Sequence, residues 1–143
     1  MEYQKIFFEH DNAIEGGIGI ESAWALPVGD NYQLDNILFY ALGYSWKDIV
    51  ATETIDSEKY VKNIVQKSGH STIRIIFEDE DDVESTRDYL QSLGCDSEIS
   101  DVYILIAVDI PPDVDIEKVL AFLEEGKSIG KWGYEEADVN WQH

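Results

Sequence analysis

The chain has 143 residues, of which 44% are hydrophobic and 12% aromatic, enough for one ordinary globular core and too apolar for a disordered chain. Ten Lys+Arg against thirty Asp+Glu give a formal net charge of -20. That charge excludes a phosphate backbone or an anionic membrane surface as a default partner and points to a basic protein, with no nucleic acid and no membrane.

Up to about residue 68 the signals are for strands. Residues 5–9 (KIFFE) are short and apolar. Residues 19–28 follow the flexible Gly16-Gly17 pair and contain Pro27, which predicts an edge or bent strand. Residues 34–40 (LDNILFY) follow a Gly29-Asp30-Asn31 turn, residues 49–55 alternate apolar and polar, and residues 60–65 are a fifth candidate. Short spacing between turn clusters predicts a small β-barrel or meander over 1–68.

After Ser68-Gly69 the periodicity changes. Ser71–Phe77 (STIRIIF) is rich in β-branched residues and predicts a strand. Residues 81–93 read as a helix with Val83, Thr86, Leu90 and Leu93 on one face. Asp81 is its expected cap, Glu84 its capping-box partner and Gly94 its C′ residue. Strands are expected at 95–99 and 103–109 around a Ser100-Asp101 turn, with Pro111-Pro112 ending the second. Residues 115–125 form a second helix with an Ile116, Val119, Leu120, Leu123 stripe, closed by Gly126. A last strand is expected at 132–139. The order β-α-β-β-α-β over 69–143 is that of a ferredoxin-like unit, an antiparallel sheet with two helices on one face, so the fold class is α+β.

Several blocks resemble those of a known family. Trp24, then Leu34-Asp35-Asn36-Ile37-Leu38-Phe39-Tyr40, then Gly43 and Asp48-Ile49-Val50 are similar to its "LDN-I-PF … G … D-V-V" block. Lys67-Ser68-Gly69-His70-Ser71-Thr72-Ile73-Arg74 resembles "SGxST-hydrophobic-R", and Leu93-Gly94-Cys95 and Val108-Asp109-Ile110-Pro111 resemble "LGC" and "VDVP". The family is the domain of unknown function 4265, and the resemblance spans roughly residues 20–138. Leu38 stands where the family pattern has Pro, which predicts more regular strand pairing there. The resemblance implies no assigned reaction. By analogy of class, small acidic families of this kind include immunity partners of bacterial toxins.

No catalytic or metal constellation is written in the residue pattern. His10, His70, His143 and Cys95 are dispersed, with no CxxC or HxxxH, so no metal and no cofactor are expected. Cys95 has Asp96 and Glu98 beside it, which disfavour a thiolate. Ser71, His70 and Asp35 make a triad only on paper, without a nucleophile elbow. Gly16-Gly17-Ile18-Gly19 is followed by a strand rather than the helix a phosphate loop needs. One cysteine, and no apolar run of signal or membrane length near residue 1, predict a cytoplasmic protein.

The strongest polar feature is the acidic run Glu78, Asp79, Glu80, Asp81, Asp82, with Glu84. It lacks the glycine of a calcium loop. Residues 71–143 carry 19 acidic and 5 basic side chains, net -14, against 11 and 5, net -6, over 1–70. The run reads as a helix start that doubles as a docking patch, with Trp46 and Trp132, next to Gly43 and Gly133, as partner-binding anchors and Trp24 in the core. The expected function is therefore a non-enzymatic acidic binding protein: an immunity protein whose carboxylates occupy the basic cleft of a nuclease-like toxin. A small-molecule-sensing ferredoxin-like module and an uncharacterised enzyme are the alternatives, and a deep pocket with convergent polar groups would favour the former.

Overall fold

The structure is a computed structural model and describes residues 2–11, 16–101 and 103–141. Strands β1 (Gln4–Asp11), β2 (Ile18–Val28), β3 (Asn31–Leu34), β4 (Ile49–Ile55) and β5 (Glu58–Gln66) pair antiparallel in sequence. β1 also pairs in parallel with β5, through Ile6 and Phe7 against Lys59 and Tyr60, so the sheet closes on itself. Alternation sends Ile6 and Phe8 of β1 and Ala23 and Ala25 of β2 inward, where Leu34, Leu38 and Val50 meet them. Pro27 lies beyond Ala25, the last β2 residue paired with β1, a place where a missing N–H is tolerated.

Three expectations fail in this half. The third strand is Asn31–Leu34, so only Leu34 of the expected 34–40 run lies in a strand. Beyond it, side chains satisfy the backbone in place of a neighbouring strand. The Glu21 carboxylate accepts the N–H groups of Phe39, Tyr40 and Ala41, and Asn36 accepts the N–H of Trp24. Leu38 is thus buried in a loop and pairs with no strand. Trp24 is not in the core: it alternates with Ala23 and Ala25 and faces outward, with the Lys5 ammonium 5.6 Å from its ring.

The second half contains β6 (Ser71–Phe77), a 3-10 turn (Glu80–Asp82), α1 (Val83–Ser92), β7 (Ser97–Ile99), β8 (Leu105–Ile110), α2 (Ile116–Ser128) and β9 (Trp132–Asp138). The strands form one antiparallel sheet in the order β7-β8-β6-β9. Ile73, Ile75 and Phe77 of β6 and Ile106, Val108 and Ile110 of β8 share one face with Val83 and Leu90 of α1 and Val119 and Leu123 of α2. Both helices therefore cover the same side. Leu120 is only half-buried, because the α2 stripe that meets the sheet is Val119 and Leu123.

The helix ends also differ from expectation. Asp81 caps nothing. Asp79 caps the 3-10 turn by accepting from Asp81 N at 2.9 Å, and α1 starts at Val83 without a side-chain cap. Gly94 is the C′ residue as expected, at φ 97°, with Gly94 N bonded to Gln91 O and Cys95 N to Leu90 O. That second bond makes Cys95 part of the helix cap, so β7 begins two residues later. Gly126 does not close α2; it lies inside the helix, buried, and Gly130, at φ 79°, follows the helix end instead. Trp132 is 5% exposed, so it is core rather than a surface anchor. Its indole N–H donates to Leu123 O at 3.0 Å, between the rings of Phe77 and Phe122.

The other face of this sheet carries Thr72, Arg74 and Ile76 of β6 and Leu105, Ala107 and Asp109 of β8. It turns toward the first half, which is why every residue of β8 is buried.

Candidate functional site

Two features lie where the first half meets that face: a polar seam at one end and an open cleft at the other. In the seam, Lys67 Nζ donates to Asp48 Oδ2 at 2.6 Å and Asp138 Oδ2 at 2.5 Å. Ser45 Oγ donates to the same Asp138 oxygen at 2.6 Å and lies 2.9 Å from Thr72 Oγ1. Asp48 is fully buried and also accepts the N–H groups of Ser45 and Ser68. Burial alone would lower the Lys67 pKa, but the bonds to Asp138 and Asp48 outweigh it and hold it above the ordinary lysine value. One cation thus ties β9, the loop before β4 and the segment after β5 together.

Beside the seam, His70 Nδ1 lies 2.9 Å from Asp109 Oδ1, and the Trp46 ring meets the imidazole edge-on at 5.3 Å. Burial raises the Asp109 pKa, with the pull of His70 acting the other way. The paper triad does not assemble. Ser71 Oγ accepts from Asn140 N, while Asp35 accepts from Trp46 Nε1 and from the Tyr3 hydroxyl. Cys95 is fully buried, and burial, with Asp109 and Asp96 nearby, pushes its thiol up to about 12. It is a poor nucleophile there. Among the described residues no three His, Cys, Asp or Glu side chains converge as a metal site.

The cleft, about 840 Å³, opens between residues 9–11 of β1 and Ile18 of β2, the 39–44 loop and the free face of β6 and β9. Arg74 stands on its floor with a side chain only 12% exposed. One guanidinium arm donates to Phe39 O at 2.6 Å and the other bonds Glu135 of β9. Farther along the floor Ile76 is 56% exposed, and Leu42 and Ile18 on the walls are likewise open to solvent. His10 stacks on Tyr40 at 5.4 Å, because its cross-strand partner is Gly19, where a Cβ would lie 2.6 Å from the imidazole. The Gly16-Gly17-Ile18-Gly19 segment thus leads into a strand and makes room for His10.

The residues singled out by sequence lie elsewhere. Glu78, Asp79, Glu80, Asp81, Asp82 and Glu84 are on the surface at the start of α1, and none joins an ion pair among the described residues. Trp46 is half-buried at the His70 end of β6, so the seven residues of that strand, roughly 20 Å, separate it from Glu78. The run and the two tryptophans do not make one patch. Arg74 was missed as a site residue, although a charge inside the run STIRIIF was its signal.

These features define a protein of mixed α+β class, mostly sheet, with two sheets held across a polar seam and an aromatic-walled cleft beside it. The chain belongs to the family described as domain of unknown function (DUF4265), whose profile matches residues 21–134. The fold is similar to that of a solved structure described as a hypothetical protein from Neisseria gonorrhoeae, with a TM-score of 0.84, 19% identity and 99% of each chain covered. No protein of curated function matches the sequence significantly. No described helix is long and apolar enough to cross a membrane.

Proposed function

We propose that the protein is a non-enzymatic binding module whose ligand is a small molecule held in the cleft on Arg74. The observation that carries this reading is a largely apolar cavity of about 840 Å³ with a nearly buried guanidinium on its floor. Small-molecule sites combine such a volume with a few placed polar groups. In the same reading the first half is a small barrel and the second a ferredoxin-like unit. The closure of β1 on β5 and the order β7-β8-β6-β9 support both. A single buried thiol fits a cytoplasmic setting. The test is an amide NMR titration with a panel of small amphiphiles. Shifts clustered on the 39–44 loop, β6 and β9, and abolished by the cleft-filling change Ile76→Trp in a protein that melts normally, are expected. Shifts scattered over the surface, or unaffected by that change, would end the reading.

A second reading keeps the immunity protein against a basic toxin. It rests on the exposed carboxylates of the acidic run, which have no partner cation among the ion pairs of the described residues. Trp132 no longer contributes to it, since that ring is core.

A further inference from the structure

We infer that the cleft takes a monocarboxylate with an apolar body, anchored on Arg74, and that Glu135 is an internal carboxylate which the ligand displaces. The inference rests on the reading of the cleft as a ligand site and names the ligand's chemistry.

Arg74 is held as an anchor would be. Its guanidinium is nearly buried on a central strand, and the bond to Phe39 O fixes its plane while leaving N–H groups for a second partner. That partner is already a carboxylate, so the geometry recognises the group. Glu135, however, is poorly suited to stay. It belongs to the edge strand β9, its side chain is 55% exposed, and it reaches Arg74 through one oxygen. The exposed Glu135 carboxylate regains water when it swings away, whereas the nearly buried Arg74 needs another acceptor in its place. A ligand carboxylate that brings its own apolar surface into the cleft can replace it at small cost.

The rest of the cleft specifies the body attached to the carboxylate. Ile76 is two residues along the same face of β6, about 7 Å from Arg74. Leu105 pairs with Ile76 across the strands, and Leu42 and Ile18 rise opposite. Ile76, Leu42 and Ile18 are open to solvent, and a chain or ring extending from the carboxylate would cover them. The flat His10–Tyr40 stack suits an aryl group. Charge limits the ligand to a single acid. Among the described residues of the lining Arg74 is the one Lys or Arg, and Glu9, Asp11 and Glu135 are carboxylates. Phosphates and di- or tricarboxylates would meet those carboxylates and the field of a chain with net charge -20.

Three probes of one shape test this: 4-phenylbutyrate, 4-phenylbutan-1-ol and 4-phenylbutylamine, titrated by amide NMR at about 0.15 M salt, where surface charges are screened beyond roughly 8 Å. The acid should bind with shifts at Phe39, Leu42 and Ile76, at least about tenfold tighter than the alcohol, with the amine weakest. Glu135→Gln should tighten the acid about threefold or more and leave the alcohol unchanged, since only the acid competes with Glu135. Arg74→Gln should bring acid and alcohol level. An alcohol or amine that binds as tightly as the acid would overturn the inference and leave the cleft as a site for other chemistry. So would an acid affinity that Glu135→Gln does not change, in a variant whose exposed position makes normal folding expected. Cleft shifts from none of the three would overturn the inference and the cleft reading together.

Discussion

The indole of Trp132 occupies the space that a side chain at Gly126 would need: a Cβ built there lies 2.0 Å from Trp132 Cζ2. The glycine is inside α2, where alanine would favour the helix by up to about 1 kcal/mol. The clash decides the sign, since the ring is wedged between Phe77 and Phe122 and bonded to Leu123 O. Gly126→Ala should lose about 1–3 kcal/mol in urea melts. A neutral or stabilising change would mean that the ring is not seated on the helix.

Leu90 and Leu120 should separate sharply. Leu90 is wholly buried between α1 and the sheet, and Leu90→Ala should cost roughly 2–5 kcal/mol. Leu120 is half-buried on α2, so Leu120→Ala should cost clearly less than Leu90→Ala. Equal losses would show that α2 is rotated from the position described.

Lys67 should give the protein an alkaline stability limit. Its folded pKa lies above the ordinary 10.5 through Asp138 and Asp48, against the lowering effect of burial. A raised lysine pKa means a contribution fully present below the unfolded pKa and lost as pH rises through the folded value. Wild type minus Lys67→Met should therefore stay constant from about pH 7 to 10 and shrink above 10.5. A difference that already falls between pH 7 and 9 would show that another group is titrating.

Much of the fold was legible because it is local. Val83, Thr86 and Leu90 mark the buried face of α1, and β-branched Ser71–Phe77 marks a central strand. The strand expected over Leu34–Tyr40 does not form because the bonding there is not local: Glu21, on β2, supplies the acceptors that hold Phe39, Tyr40 and Ala41 out of a strand. Gly126 read as a stop because nothing nearby in sequence announces that Trp132 folds back onto it. The cleft was hidden for the same reason. Arg74, His10, Tyr40 and Glu135 come from four separate segments, and only the packing of the two sheets brings them together. Asp48, Lys67, Ser68 and Thr72 of the seam, and His70 and Asp109 beside it, do stand within the family blocks, but residue order does not say that they meet.

Cys95 should be chemically silent in the folded protein. Its thiol is pushed up to about 12, first by burial and then by Asp109 and Asp96, and no solvent reaches it. Alkylation at pH 8 should be slower than that of a free thiol by orders of magnitude and become rapid once the chain is unfolded. Cys95→Ala should leave ligand binding intact at a modest cost in stability. Rapid labelling of the native protein would contradict the burial described.

The acidic run gives a prediction that separates its two readings. Asp79 caps the 3-10 turn, so it is left in place, while Glu78, Glu80, Asp81, Asp82 and Glu84 are neutralised to Gln and Asn. Five like charges on a short segment repel one another, so the variant should melt slightly higher at about 0.05 M salt. The gain should fade toward 0.5 M, where the Debye length falls below about 5 Å. Helix-dipole loss acts the other way by about 0.3–1 kcal/mol for a carboxylate in the first turn, here Glu84, so the net rise should be small. If the run also docks a basic partner, the same variant should associate more slowly with that partner at low salt, with little change in off-rate, because exposed charges steer the encounter. Unchanged association at low salt, alongside the expected stability change, would make the run a solvated helix start and nothing more.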